Sequence, residues 1–247
     1  MREILHDKIP EDLVRDPVLP GVRPLSDGRW IRVDEAYAEQ MKYRRELVAT
    51  RRDEVLFEGG PEASDAVEEC LQEALKLMPA MGFSYTQRHI FCPDQAEIDH
   101  EADSPLATLA KTVQEDICIL DKQGDEHVLI AAALCFPASW TLAEKAGRSL
   151  SRIHAPVGEY TGDMTRRVQR MFDAVHDSRP LWRNNMLGYA SPELFTPRSE
   201  CETQRNDLPL DVAPYIRAER QCILRLPQTR AIVFSIHSYM AKNAVSA

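Results

Sequence analysis

The run Val128–Phe136, VLIAAALCF, is apolar at every position. A strand with one wet face alternates apolar and polar residues, so a run without alternation belongs in the middle of a sheet. Upstream stand Ile117–Leu120 and the turn-forming Lys122-Gln123-Gly124-Asp125. Together they read as a β-hairpin whose second strand, His127–Phe136, is central. The last third adds strand candidates at Leu181–Leu187, Ile216–Leu226 and Ala231–Tyr239, the final two joined by Pro227-Gln228-Thr229-Arg230.

Helical periodicity lies between and before these strands. Asp34 to Val55 is charged, with Tyr37, Met41, Leu47 and Val48 as the buried stripe and Asp34 as a candidate N-cap. Ser64 opens a second helix with Val67, Leu71, Leu75 and Leu77 on one side. Ser104-Pro105 starts a third by the proline-at-N1 rule, running to about Glu115. A short helix from Thr141 to Leu150 and another from Asp163 to His176 flank a turn at His154-Ala155-Pro156. Residues 83–104 lack periodicity and read as a long loop, and Pro10, Pro17, Pro20 and Pro24 mark the first thirty-three residues as an extended arm. The expectation is an α+β fold: an antiparallel sheet of about five strands with helices on one side. It divides into an arm 1–33, one domain 34–240 carrying a helical extension, and a tail 241–247.

Charge narrows the partners. The chain has 30 Lys+Arg against 39 Asp+Glu, a net charge of -9, so it lacks the basic footprint that nucleic acid requires. Arg166, Arg167 and Arg170 cluster, but Val168, Met171, Phe172 and Val175 make that segment an amphipathic helix with a solvated basic face. No apolar run reaches the roughly 18–20 residues of a membrane span. Met1-Arg2-Glu3-Ile4 carries an acid where a signal peptide would not, which places the chain in the cytoplasm. The six cysteines (Cys70, Cys92, Cys118, Cys135, Cys201, Cys222) form no CxxC pair, so they read as reduced thiols, mostly core, and not as a zinc or iron–sulfur site.

The motifs of nucleotide-binding proteins, zinc proteases and serine hydrolases are missing. Glu115-Asp116 is the best carboxylate pair and reads as a solvated pair at a loop edge. Among the seven histidines, His6 lies in the arm, His127 beside a turn, and His176 at a helix C-terminus. His89 and His100 lie in the long loop, and His237 in the apolar strand IVFSIHSY reads as a satisfied core histidine. His154 follows a short helix and precedes Ala155-Pro156-Val157. A neutral imidazole on a stiff element beside an apolar wall is what an axial haem ligand needs, and a helix-capping histidine meets the same description.

Longer strings carry a resemblance. CFPASWTLAEKAGRSLSRIHAPVGEY (Cys135–Tyr160) resembles the haem-dependent oxidative N-demethylase α-subunit family, with its CFPSRW, EK and IHxPVP blocks. RPLWRNNMLGY (Arg179–Tyr189) and RAERQCILRLPQTRAIVFSIHSY (Arg217–Tyr239) are similar to two later family segments, and RRDEVLF (Arg51–Phe57) and QEDICIL (Gln114–Leu120) to two earlier ones.

The resemblance implies a PAS-like sheet that binds haem b. It also implies a monooxygenase-type reaction in which a small secondary amine such as dimethylamine is oxidatively N-demethylated by O₂, releasing formaldehyde. Electrons would come from NADPH through FMN and [2Fe–2S] carriers on a partner reductase subunit. His154 falls on the histidine of IHxPVP and is the implied iron ligand, with His237 as the alternative. Arg183 and Arg220 fall on arginines that would meet a haem propionate or, failing that, pair with Glu219 or Glu115. Trp140 and Tyr239 fall on aromatic positions that would wall the pocket. Three departures bear on the pocket: Gly158 replaces the second proline of IHxPVP, Asn185 a tryptophan, and His237 a basic residue of the last strand. A PAS-like haem or small-ligand sensor without turnover, and a haem-free interaction module, are the other functions such a chain could have. Oligomeric state is left open.

Overall fold

The computed structural model describes residues 2–14, 21–154, 162–202 and 207–244. Its centre is an antiparallel sheet of eight strands. Five are long: β6 (Asp116–Gln123), β7 (Glu126–Ala133), β8 (Leu181–Tyr189), β10 (Tyr215–Arg225) and β11 (Ile232–Lys242). These correspond to the strands expected from sequence. Three more, β1 (Arg23–Pro24), β2 (Leu56–Glu58) and β9 (Asp207–Leu208), are two or three residues long, too short to show a period. The order is β1-β8-β10-β11-β6-β7-β2, with β9 also on β8. The apolar strand β7, expected at the centre, is instead next to the last: β6 flanks one side, and the other is closed only by the three residues of β2 and by Arg148, whose carbonyl accepts from Leu129 N–H.

Helices cover both faces of the sheet, not one. Ile117, Ile119, Ala131, Ala133, Cys222, Leu224 and Val233 point one way. They pack under α1 (Tyr37–Thr50), α3 (Pro61–Leu77) and α4 (Pro105–Thr112), with α2 (Arg52–Val55) linking α1 to β2. Cys118, Leu120, Leu129, Ala132, Ile223 and Ile232 point the other way, against Leu142, Leu150, Phe172 and Val175. Those come from or beside α5 (Leu142–Lys145), α6 (Leu150–His154) and α7 (Gly162–Ala174). A strand that is apolar on both faces needs cover on both, and that requirement overrides a one-sided arrangement. Arg166, Arg167 and Arg170 are exposed on α7, as its amphipathic pattern demands.

Several local expectations change. Residues 83–104 hold a second sheet, β3 (Ser84–Tyr85), β4 (His89–Phe91) and β5 (Glu97–Asp99), whose strands are too short to show alternation. The helix expected over 141–150 breaks at Gly147, whose φ of 67° suits glycine, and Leu129 takes up the backbone around it. His154 therefore ends a helix instead of occupying a turn, while Ala155, Pro156 and Gly158 lie outside the described residues. Ser104 caps α4 as expected, accepting from Ala107 N–H at 3.2 Å. The second helix starts at Pro61, ahead of Ser64, and β11 runs past Tyr239 to Lys242. The first segment packs onto the domain, with Leu13, Leu25, Trp30 and Ile31 buried. Five of the six thiols are buried and Cys201 is exposed.

Glu115 and Asp116 are buried, not solvated. Arg44 from α1 explains why. Its guanidinium donates to the carbonyls of Ala110, Gln114 and Glu115 at 3.1, 3.1 and 2.7 Å, and to Asp116 Oδ1 at 2.7 Å. The Asp116 carboxylate also accepts from Cys135 N–H and Phe136 N–H, at 2.7 and 2.9 Å. These bonds satisfy carbonyls in the last turn of α4 and just beyond it; the helix ends at Thr112 and not at Glu115. Arg44→Met is expected to lower the unfolding free energy by about 3–5 kcal/mol, because it strands a buried carboxylate. Urea denaturation measures the loss, and one below about 1 kcal/mol would show the pair to be dispensable.

Candidate functional site

Strand alternation sorts the chemical residues into two groups. Gln221 of β10 stands opposite Arg183 of β8, whereas Arg220 stands opposite Asn184 and His237. Neighbours along a strand point to opposite faces, so Arg183 and Arg220 are on opposite sides of the sheet. His237 and Tyr239 share the Arg220 side. Trp140 and the end of α6 pack into the apolar cluster on the Arg183 side.

On that side His154 is the central group. Its Nδ1 lies 2.9 Å from the Leu150 carbonyl oxygen, which can only accept, so Nδ1 carries the proton and Nε2 the lone pair. Burial lowers the imidazole's pKa, and the charges of Lys145 and Arg183 act in the same direction against a weaker pull from the Leu150 bond. The result is a neutral ring. The helix end is fastened beneath it: Lys145 Nζ donates to the Ile153 carbonyl at 2.7 Å and to Glu200 Oε1 at 2.5 Å. Arg152 donates to Glu200 Oε2 at 3.0 Å, and Glu144 takes the Glu200 N–H at 3.0 Å. Trp140, Ile153 and Phe172 give this side an apolar wall.

Arg183 stands nearby without a partner. It has neither hydrogen bond nor ion pair among the described residues, and its Nε is buried. Burial pulls its pKa down, only partly countered by Glu219. The Arg183–Glu219 pair weighed from sequence does not form. Glu219 is taken by Gln221 Nε2 at 2.8 Å and Arg217 Nε at 3.3 Å. Arg220 does not pair with Glu115 either: its Nη2 donates to the Arg29 carbonyl at 2.8 Å, and its guanidinium stacks 5.8 Å from the Trp182 ring.

His127 gave no signal in the sequence beyond its place beside a turn. It is buried, its Nδ1–H donates to Gln169 Oε1 at 2.8 Å, and its Nε2 has no hydrogen-bond partner among the described residues.

Across the sheet lies a second cluster. His237 Nδ1–H donates to Glu115 Oε1 at 2.8 Å, and its Nε2 is 2.8 Å from Asp34 Oδ2. His6 Nε2 is 2.9 Å from the same oxygen. Tyr239 packs on both rings, with centroids 4.9 Å from His6 and 4.6 Å from His237. Burial opposes a charge on His237, but Glu115 and Asp34 outweigh it and raise the imidazole to about 9. Burial likewise works against ionised Asp34, and the bonds from His237 and His6 overcome it, holding the carboxyl well below the usual range. A cavity of about 440 Å³ opens beside Asp34, lined also by Lys8, Arg29, Arg32, Met81 and Tyr239. His237 is buried and hydrogen-bonded, as its apolar strand led one to expect, but nothing local could show that His6 joins it.

No helix among the described residues is long and apolar enough to cross a membrane. A family model described as "Haem-dependent oxidative N-demethylase, alpha subunit-like" matches residues 21–244, nearly the whole chain, and the chain belongs to that family.

Arg183 and Arg217, two of the arginines on this face, differ in what they hold. Arg217 donates to the Leu194 carbonyl at 3.1 Å, to the Phe136 carbonyl and to Ser238 Oγ at 3.1 Å. In the ligand-free protein, Arg217→Leu is expected to cost about 2–3 kcal/mol by stranding these acceptors. Arg183→Leu is expected to be neutral, or stabilising by about 1 kcal/mol, since it removes a desolvated charge that pairs with nothing. Parallel urea titrations give the order, and a larger loss at Arg183 would contradict it.

Proposed function

From membership of the haem-dependent oxidative N-demethylase, alpha subunit-like family, we propose that this chain binds haem b on the Arg183 face of its sheet, with His154 Nε2 as the proximal iron ligand. The reaction is O₂-dependent oxidative N-demethylation of a small secondary amine. The observation that carries the assignment is the His154 ring itself: its Nδ1 proton rests on the Leu150 carbonyl, which leaves Nε2 as the lone-pair nitrogen. Histidines that hold metals anchor their other ring nitrogen on a backbone carbonyl or a carboxylate in this way.

Arg183 fits the same group. A half-buried guanidinium with no partner among the described residues suits a carboxylate that arrives with a ligand, and a haem propionate supplies one. When bound, the haem supplies O₂ binding and the oxidation of an N-methyl carbon. The chain's own residues do the rest. Lys145, Glu200 and Arg152 hold the end of α6, which sets where the imidazole stands. Trp140, Ile153 and Phe172 keep water off the apolar side. Arg183 would pair with a propionate of the bound group. Arg220, Tyr239 and His237 lie across the sheet from His154 and have no part in this reading. The cysteines are scattered and mostly buried, which does not suit a Cys-ligated [2Fe–2S] cluster; in this reading that cluster and the FMN belong to a partner subunit, in keeping with the family's alpha-subunit description.

The test is haem titration followed by visible absorption of the full chain and its variants, with and without dithionite. His154→Ala is expected to abolish or grossly alter the Soret band, while His237→Ala keeps the parent spectrum. Arg183→Leu is expected to weaken haem binding about tenfold, equivalent to about 1.4 kcal/mol. The reverse histidine pattern would overturn the ligand assignment. With NADPH and a flavin/iron–sulfur reductase, dimethylamine should raise O₂ consumption and release formaldehyde. Haem uptake without amine-dependent turnover would instead favour a sensor.

A further inference from the structure

The cluster across the sheet from His154 holds two carboxylates with no arginine or lysine side chain within salt-bridge distance of either, among the described residues. Arg32 is close, yet it gives Glu115 only its backbone N–H, at 2.7 Å, and its guanidinium goes to Asp12 and Tyr239. One Glu115 oxygen, Oε2, is buried and has no hydrogen-bond partner among the described residues. Positive charge here must come from protons on the imidazoles or from a bound cation.

We propose that His6, Asp34 and His237 form a mononuclear site for a divalent first-row transition metal ion, zinc foremost, with His6 Nε2, Asp34 Oδ2 and His237 Nε2 as its protein ligands. These three atoms lie within 4.8 Å of one another. Both ring nitrogens stand at hydrogen-bond distance, 2.8–2.9 Å, from the one oxygen; a tetrahedral zinc would replace the shared protons and spread these atoms to about 3.3 Å, a shift of a few tenths of an ångström. Two imidazoles and a carboxylate are a zinc donor set, and three protein ligands leave a fourth position for water.

The surroundings orient each ligand. His237 rests its Nδ1–H on Glu115, a carboxylate–histidine pair that turns Nε2 toward Asp34. His6 Nδ1 lies 3.2 Å from the Met240 N–H and 3.3 Å from the Met240 carbonyl oxygen, so the same backbone serves either tautomer, and a bound ion would select the one with its proton on Nδ1. The other Asp34 oxygen, Oδ1, is used by Ala36 N–H at 3.0 Å and Gln114 Nε2 at 2.8 Å, which leaves Oδ2 for the ion. The cavity beside Asp34 provides entry and room for the water. The ligands come from the N-terminal arm, the approach to α1, and β11, so the ion fastens the arm to the sheet. His6 precedes the span 21–244 that defines family membership, and the site stands independently of the haem reading.

The test uses the full chain after chelator treatment, titrated with Zn²⁺ by calorimetry and with Co²⁺ by visible absorption. One equivalent of Zn²⁺, the d–d bands of four-coordinate Co²⁺ and a higher Tm with Zn²⁺ are expected. His6→Gln, confined to the arm, and Asp34→Asn should each weaken Zn²⁺ at least about 100-fold, whereas His89→Ala on the exposed small sheet should leave it unchanged. Circular dichroism of His6→Gln checks that the fold survives. No stoichiometric binding, or binding indifferent to His6→Gln, would overturn the proposal and leave a cluster held by protons alone.

Discussion

The buried Arg44–Asp116 pair is the constraint from which the central layout follows. One guanidinium takes three carbonyls in the stretch from α4 to β6, and one carboxylate takes two amides just past the end of β7. A helix end, a strand start and a strand end are thereby referred to a single point on α1. Neither charge could stay at that depth without the other. Glu115, next in the chain, is carried with them and turned toward His237.

The sheet then acts as a partition. Because β8, β10 and β11 are in register over Tyr215–Ile223, each pair of adjacent residues divides between two environments. The α5–α7 side has an apolar wall, a neutral imidazole and a cation without a partner among the described residues, which is a surface suited to a flat, carboxylate-bearing cofactor. The arm side has carboxylates and imidazoles without a lysine or arginine side chain paired to either Asp34 or Glu115, which suits a small cation. The two kinds of chemistry are kept apart by the pleat, not by distance along the chain: Arg183 and Asn184 are consecutive, and so are Arg220 and Gln221.

Much of the fold was legible because its signals are local. The hairpin follows from an unbroken apolar run beside a turn, the long strands from their length and composition, and the start of α4 from a serine followed by proline. His154 stood out for its proline-bearing neighbours and for a motif that matches a family. The short strands of residues 83–104, the break at Gly147 and the burial of Glu115 and Asp116 left no such trace. A strand of three residues shows no alternation. A carboxylate looks solvated until the arginine that buries it, some seventy residues earlier, is in place.

The chain by itself determined that an unbroken apolar strand would lie inside an antiparallel sheet, and its motifs marked the family to which it belongs. Only the tertiary structure decided which face each functional residue occupies. It also decided that His6, Asp34 and His237 meet, since those contacts join positions up to about two hundred and thirty residues apart and depend on strand register. Side-chain direction in a sheet alternates with every residue, so a position in the sequence names a group without saying what it will face.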